Sequence, residues 1–500
     1  MELPVVNNEP AADAPQGHDI LLPPLPYDIH DRAGAALANE SLQLAVDKAT
    51  RKKDDARRAY CPEVFGDRYD TLRDLAGEIK QHTLDHLDYY VNQFVDNATA
   101  AGAQVHFAAD AEEAGAIGLD IVEREGLSLC VKSKSMVTEE TSLLPKLQDA
   151  NVETWETDLG EFIIQLDHDA PSHIVTPMIH KDRFDVARAF QRELGAEYTE
   201  EPAELTQIAR SFLRDKYRHA DLGITGGNFI VAETGSVVIC TNEGNGRFCS
   251  TAPRVHVVYV GIEKMVPTMR NAAVLLKLLA RSSTAQPQTV YTHLMTGPRR
   301  EHEHDGPDQM HIILVDNGRT KVLSDPEYRE SLRCIRCGAC LNACPVYRKI
   351  GGHAYGAVYS GPIGSIITPL FKGVENFKDL PNASSLCGAC YEACPVRINL
   401  PELLIKLRRD LAKSPAVSGK ERAALKMYAR ALKSVWSYRM AFGAQRFMLR
   451  MKADADGFVH KAPGPGAGWT AQRDLQAPAK QSFRKWWKKR KSTGQAPASE

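Results

Sequence analysis

Cys334-Ile-Arg-Cys337-Gly-Ala-Cys340-Leu-Asn-Ala-Cys344-Pro345 is an unbroken C-x2-C-x2-C-x3-C-P run. In such a run the first three thiolates curl around one cubane of iron and sulfide, each reaching a different iron. The fourth, followed by proline, leaves that loop and ligates a second cubane. Zinc takes four ligands per ion, commonly from two separated C-x2-C knuckles, and fits three evenly spaced cysteines plus Cys-Pro poorly. A second run lies downstream, Ser384-Ser-Leu-Cys387-Gly-Ala-Cys390-Tyr-Glu-Ala-Cys394-Pro395. It repeats Cys-Gly-Ala-Cys and Ala-Cys-Pro-Val, so Cys387, Cys390 and Cys394 correspond to Cys337, Cys340 and Cys344, and Ser384 stands where Cys334 would be.

The crossed pattern gives cluster one Cys334, Cys337, Cys340 and Cys394. Cluster two receives Cys344, Cys387 and Cys390, one thiolate short. Three completions stay open: ligation by the Ser384 oxygen, a ligand from elsewhere or water, or a cube that rests as [3Fe–4S]. Cys61, in the other Cys-Pro pair Cys61-Pro62, is a remote candidate and reads more simply as an ordinary cysteine. The segment between the motifs carries Gly351, Gly352, Gly356, Gly361 and Gly364 and then a helical pattern. It is too long for a compact ferredoxin hairpin and suits a helical two-cluster module.

Composition sets the frame. The 500 residues exceed one ordinary domain, and 43% hydrophobic with 25% charged residues is usual for a globular protein. A net charge of −1 does not steer the whole molecule towards nucleic acid. No apolar run reaches the length of a bilayer-spanning helix. Residues 1–19 are acidic and Pro-containing, unlike an export signal. Clustered thiols without such a signal point to metal rather than disulfides. A cytoplasmic protein is expected.

Six prolines among residues 1–27 suggest an extended arm. Helices are expected at 31–58, 69–101, 111–125, 139–148, 263–281, 401–413 and 421–451. Strands are expected at 105–108, 127–131, 228–232, 236–240, 255–260, 289–293 and 311–315. The alternation favours a largely parallel sheet covered on both faces, with a hairpin at Gly235 inside it. Residues 464–468 read as a flexible linker before the basic run Arg484-Lys-Trp-Trp-Lys-Lys-Arg-Lys491. That run could meet nucleic acid or sit peripherally on the inner membrane face; a solubilising or partner-docking end is simpler, because nothing else in the chain suggests nucleic acid. The domain division expected is 1–69, an arm and helix; 70–318, α/β; 319–412, a helical two-cluster domain; and 413–500, helices, linker and basic tail.

No dinucleotide fingerprint, P-loop or G-x-S-x-G elbow is present. His302 and His304 read as a solvated charged loop. No flavin site is evident. Clusters move single electrons, whereas oxidising an organic substrate removes two, so a flavin or another centre, on a partner, must bridge the difference.

The segments Val131-Lys-Ser-Lys-Ser-Met136, Glu156-Thr-Asp-Leu-Gly-Glu161, Pro171-Ser-His-Ile-Val175, Gly223-Ile-Thr-Gly-Gly-Asn-Phe229, Ala232-Glu-Thr-Gly235 and Thr241-Asn-Glu-Gly-Asn-Gly-Arg247, together with the cysteine block, resemble the lactate utilisation iron–sulfur protein (LutB) family. Residues of about 70–318 resemble its LUD domain, similar in fold to the CoA-transferase and formyltetrahydrofolate cyclo-ligase type. The resemblance implies two [4Fe–4S] clusters and an electron-transfer role in a complex oxidising L-lactate to pyruvate. Its partners would be a cysteine-rich protein of the heterodisulfide-reductase type and a shorter LUD protein. An enzyme acting on an activated acid, with structural or sensing clusters, is the alternative. In the LUD segment Lys132 and Lys134 could meet a carboxylate or phosphate. Asn228, Glu233, Thr234, Asn242, Glu243 and Asn245 could line a ligand site or simply build turns. No catalytic residue is assigned.

Overall fold

The computed structural model describes residues 20–417, 419–464, 466–471 and 473–492. The chain divides at Ala416/Val417 into two compact units.

The first unit is built on two sheets. Ten strands take part: β1 (Gln104–Ala108), β2 (Leu129–Lys132), β3 (Glu153–Glu156), β4 (Leu222–Thr225), β5 (Phe229–Val231), β6 (Ser236–Thr241), β7 (Val255–Gly261), β8 (Met265–Val266), β9 (Tyr291–Met295) and β10 (Gln309–Val315). Six form a sheet ordered β1-β10-β7-β4-β2-β3, every neighbouring pair parallel. Strand β7, Val-His-Val-Val-Tyr-Val-Gly, is buried at every position. That is the signature of a central parallel strand covered on both faces. Its helices are locally specified: Asp110 caps Ala111–Glu125, which ends on Gly126 in the left-handed region.

The hairpin at Gly235 forms, with β5 and β6 antiparallel, but it belongs to a separate four-stranded sheet ordered β8-β5-β6-β9. Gly235 has φ +67°, and a Cβ there would lie 2.3 Å from the Ala98 amide nitrogen. Four expected helices are each two, the 139–148 pattern dividing between Met136–Glu140 and Leu143–Asp149. The 31–58 pattern divides at Asn39, which caps Glu40–Phe65. The 69–101 pattern breaks at His86 between Arg68–Asp85 and Leu87–Ala100. The 421–451 pattern breaks at Ser434, which caps Val435–Met451. The linker holds a short helix, Gly466–Thr470, and the basic run lies in the helix Phe483–Ser492.

Strands β3 and β4 escape the sequence pattern for physical reasons. Edge strand β3 is Glu-Thr-Trp-Glu, too polar to read as buried. Strand β4 contains Gly223, where a Cβ would lie 1.8 Å from the Cys249 carbonyl oxygen.

One hydrophobic core runs through the N-terminal helices, the LUD segment and the cysteine segment. It joins Val46, Ala76 and Leu84 to Phe229, Leu275 and Leu278, and these to Ile335, Leu341, Ile366 and Leu404. The proline-rich arm is anchored at its end: Tyr27 is buried, and its hydroxyl donates to the Ala354 carbonyl at 2.7 Å.

His256, the second residue of β7, is almost wholly buried, with Nε2 2.8 Å from Thr225 Oγ1. Burial, with repulsion from His311, pushes it from 6.5 down to about 3. Below pH 6.5 the unfolded chain therefore binds a proton that the folded chain refuses, so stability falls as pH drops from 6.5 towards 3. Thermal melts across that range should show the loss. His256→Gln should make the slope shallower, by a few kcal/mol over the full range.

Candidate metal centre

Each cysteine motif folds the same way. Arg336 and Leu386 both take positive φ, +58° and +55°, as do Gly338 and Gly388. A single helical turn follows in each, Ala339–Ala343 and Ala389–Ala393, ending on extended Cys344 and Cys394. The two motifs match at an offset of fifty residues, and the parallel reaches the odd position. Arg336 N–H donates to Cys334 Sγ at 3.4 Å, and Leu386 N–H donates to Ser384 Oγ at 3.2 Å. Ser384 occupies a cysteine's frame with a hydroxyl in place of the thiol.

The short helices are closed by arginines. Arg73 donates to the Glu392 carbonyl at 2.6 Å and to the Cys394 carbonyl at 2.8 Å. Arg348 donates to the Asn342 carbonyl at 2.6 Å, at the matching position of the first motif, and pairs with Asp54 at 3.3 Å.

The thiols fall into two neighbourhoods. Burial raises Cys337 to about 12, and the sulfurs of Cys334 and Cys394 add to the rise. Burial raises Cys340 too, with Cys334, Cys337, Cys390 and Cys394 close by. Cys390 is raised to about 12 by burial and then by Cys344 and Cys387. Cys387 is exposed; Cys334 is half-buried and the other five are buried. Backbone amides oppose these rises: Ala339 at Cys337, Tyr347 and Val346 at Cys344, and Ile398 at Cys394. Amides aimed at sulfur favour thiolate, the form that binds metal, so the donor set fits iron–sulfur clusters. Cys61 is buried, with Sγ 3.9 Å from the Arg281 carbonyl oxygen. His302 and His304 are exposed.

The charges around Cys334 come from residues distant in the chain, and no local pattern points to them. Lys80 and Lys264 are buried and within electrostatic reach of its sulfur, held down to about 7 and about 8 by burial. Arg336 is half-buried, with its side chain 8% exposed, and faces the same sulfur. Its guanidinium lies 4.5 Å from the Tyr359 ring and 3.4 Å from Glu263. Glu263 also pairs with Arg319 at 2.5 Å, and Arg319 grips Glu140 with two hydrogen bonds of 2.8 and 2.9 Å. The network runs from the end of β7 into the cysteine loop.

The LUD residues divide by role. Asn228 accepts the Cys240 amide, Glu233 accepts the Met269 amide, and Asn242 bonds Gln286 and Val290; these build turns. Thr234 lies in the turn at Gly235. Buried Lys132 and half-buried Lys134 belong to a charged cluster at the carboxyl ends of β2 and β3. Lys132 Nζ lies 2.6 Å from Glu156, and Lys134 lies 3.9 Å from Glu161. Glu139 joins them, raised to about 7 by burial. Glu243 accepts the Leu159 amide beside this cluster, and Asn245 is buried.

The fold and the thiol groups define the class: an α/β LUD domain joined to a helical segment that carries iron–sulfur clusters. Family models agree, matching an LUD domain over residues 91–315, a 4Fe-4S dicluster domain over 330–398 and the C-terminal region of lactate utilisation protein B over 411–492. Lactate utilization protein B of Shouchella clausii is 46% identical over 85% of this chain and 90% of its own length. That of Bacillus subtilis is 43% identical over 93% and 96%. The chain belongs to the lactate utilisation protein B family.

Arg319→Met would take from buried Glu140 its paired arginine and from buried Glu263 one of its two. Loss of one partner from a buried ionic network costs about 3–5 kcal/mol. Urea or thermal unfolding should register a loss of that size.

Proposed function

We propose that this chain is the electron-transfer subunit of a complex that oxidises L-lactate to pyruvate. Cluster one would be a [4Fe–4S] held by Cys334, Cys337, Cys340 and Cys394, and cluster two by Cys344, Cys387, Cys390 and the Ser384 oxygen. The observation that carries the ligand assignment is the matched frame of Cys334 and Ser384, each accepting the amide two residues on. The lactate reading rests on relatives named lactate utilization protein B. The partners would be the cysteine-rich protein and the shorter LUD protein, one of which supplies the two-electron centre.

When bound, the clusters take up and release single electrons. The chain's own residues do the rest. Arg73 and Arg348 fix the turns that present the cysteines, and the shared core keeps water from the first thiol group. Arg336, and Lys264 in its protonated form, place positive charge beside Cys334, which favours the reduced, more negative state. Cys387, at the surface, marks the side on which an electron partner docks. The division 70–318 and 319–412 is then functional rather than mechanical, since one core spans both.

Anaerobic reconstitution tests this. Two reducible signals should appear by paramagnetic resonance and fill when lactate and both partners are added; clusters that stay oxidised sink the reading. Ser384→Cys should raise the four-iron share of cluster two, and an unchanged spectrum would mean that another ligand serves there. Lys264→Met should lower the cluster-one potential by about 60 mV, a tenfold change for one electron, and leave cluster two in place.

The buried Lys132–Glu156 pair, with half-buried Lys134 3.9 Å from Glu161 beside it, supports the second reading, an enzyme on an activated acid. That reading predicts turnover by the isolated chain carrying Cys334→Ser; the first predicts none.

A further inference from the structure

The unit 417–500 carries 18 lysines and arginines against five aspartates and glutamates, a net charge of +13, which leaves −14 for residues 1–416. It also holds four of the five tryptophans. Charge and aromatic rings are sorted onto helix faces. In Val435–Met451 the side chains of Trp436, Met440, Phe447 and Met451 are 73%, 59%, 69% and 71% exposed. Spaced four, eleven and fifteen residues from the first, they fall within about 60° of one another and form a stripe about 22 Å long. Arg439, Arg446 and Arg450 run beside it, and the helix contains no acidic residue.

The helix Phe483–Ser492 repeats the device. Phe483, Trp486 and Trp487 share one face, their ring centroids 5.6 to 6.1 Å apart, and all three are exposed. Lysines occupy the opposite face. The two helices touch: Arg484 stacks over Tyr438 at 5.2 Å.

We infer that this unit is a docking surface for anionic phospholipid. An apolar stripe with a basic border is how a helix lies in a lipid interface, its rings among the acyl ends and its cations at the headgroups. A protein partner fits less well. Interface cores are depleted in lysine, and ten of the 18 cations here are lysines. A nucleic acid would use the charge but would leave the Trp436–Met451 stripe in water. Among the described residues no helix is long and apolar enough to cross a membrane, so the contact is superficial. The inference stands apart from the lactate reading, because it needs neither substrate nor cluster.

The test is sedimentation of the full chain with vesicles of phosphatidylcholine alone or mixed with phosphatidylglycerol. Binding should favour the anionic vesicles at least tenfold and weaken with salt. Brominated acyl chains should quench the tryptophans. Trp436→Ala with Trp486→Ala and Trp487→Ala should lose binding at least tenfold, with the circular dichroism unchanged. Lys485→Gln with Lys488→Gln should weaken it severalfold and shrink the salt dependence. Equal binding to both vesicles, or no quenching by brominated lipid in the unaltered chain, overturns the inference. So does a duplex oligonucleotide that strips the protein from vesicles at equal charge concentration.

Discussion

The carboxylate of Glu263 is shared between Arg319, which reaches back to Glu140, and Arg336, which sits between the first two cysteines. Glu263 follows β7, the central buried strand, so its position is set by the sheet. Arg336 holds a left-handed backbone, which costs a non-glycine residue about 1–3 kcal/mol. An arginine paired to a fixed carboxylate and stacked on Tyr359 tolerates that cost. The path of the cysteine loop, and with it the direction of Cys334 and Cys337, is therefore dictated by the α/β sheet. Burial works against the Glu263 charge, yet the two guanidiniums hold it at about 2, so the tie stays ionic throughout the neutral range.

The fifty-residue internal repeat shows what each half needs from outside itself. A single helical turn cannot satisfy its own carbonyls. Both halves solve the problem with an arginine, but from different places. Arg73 comes from a helix near the amino terminus; Arg348 comes from the motif's own flank and is braced by Asp54 of another N-terminal helix. The helices before the sheet are thus structural parts of the cysteine domain, although they lie more than two hundred residues away in sequence.

What could be read in advance follows from how local each signal is. The cysteine spacing is a local code, and so is the apolar run of β7; both are plain in the sequence. The Gly235 hairpin is also local, but its membership of a second sheet depends on β8 and β9, which are short and far apart. Helix breaks at Asn39, His86 and Ser434 are single-residue events inside patterns that otherwise continue. Lys80, Lys264 and Glu140 look like ordinary surface charges until the fold buries them. The binding or turn-building choice for Asn228, Glu233 and Asn242 needed three-dimensional partners, because both roles use the same residue types.

The crossing of the two motifs also has a consequence for how the protein is made. Cys334, Cys337 and Cys340 leave the ribosome together, but Cys394, their neighbour in the fold, follows 54 residues after Cys340. At roughly 5–20 residues per second that is a wait of about 3–11 seconds. During it the nascent chain displays three thiols of one group beside a sheet and helical scaffold that are already synthesised. Metal delivered in that interval would meet an incomplete set. The set proposed for cluster one is therefore complete only once Cys394 has followed, on a sheet and helical scaffold already in place.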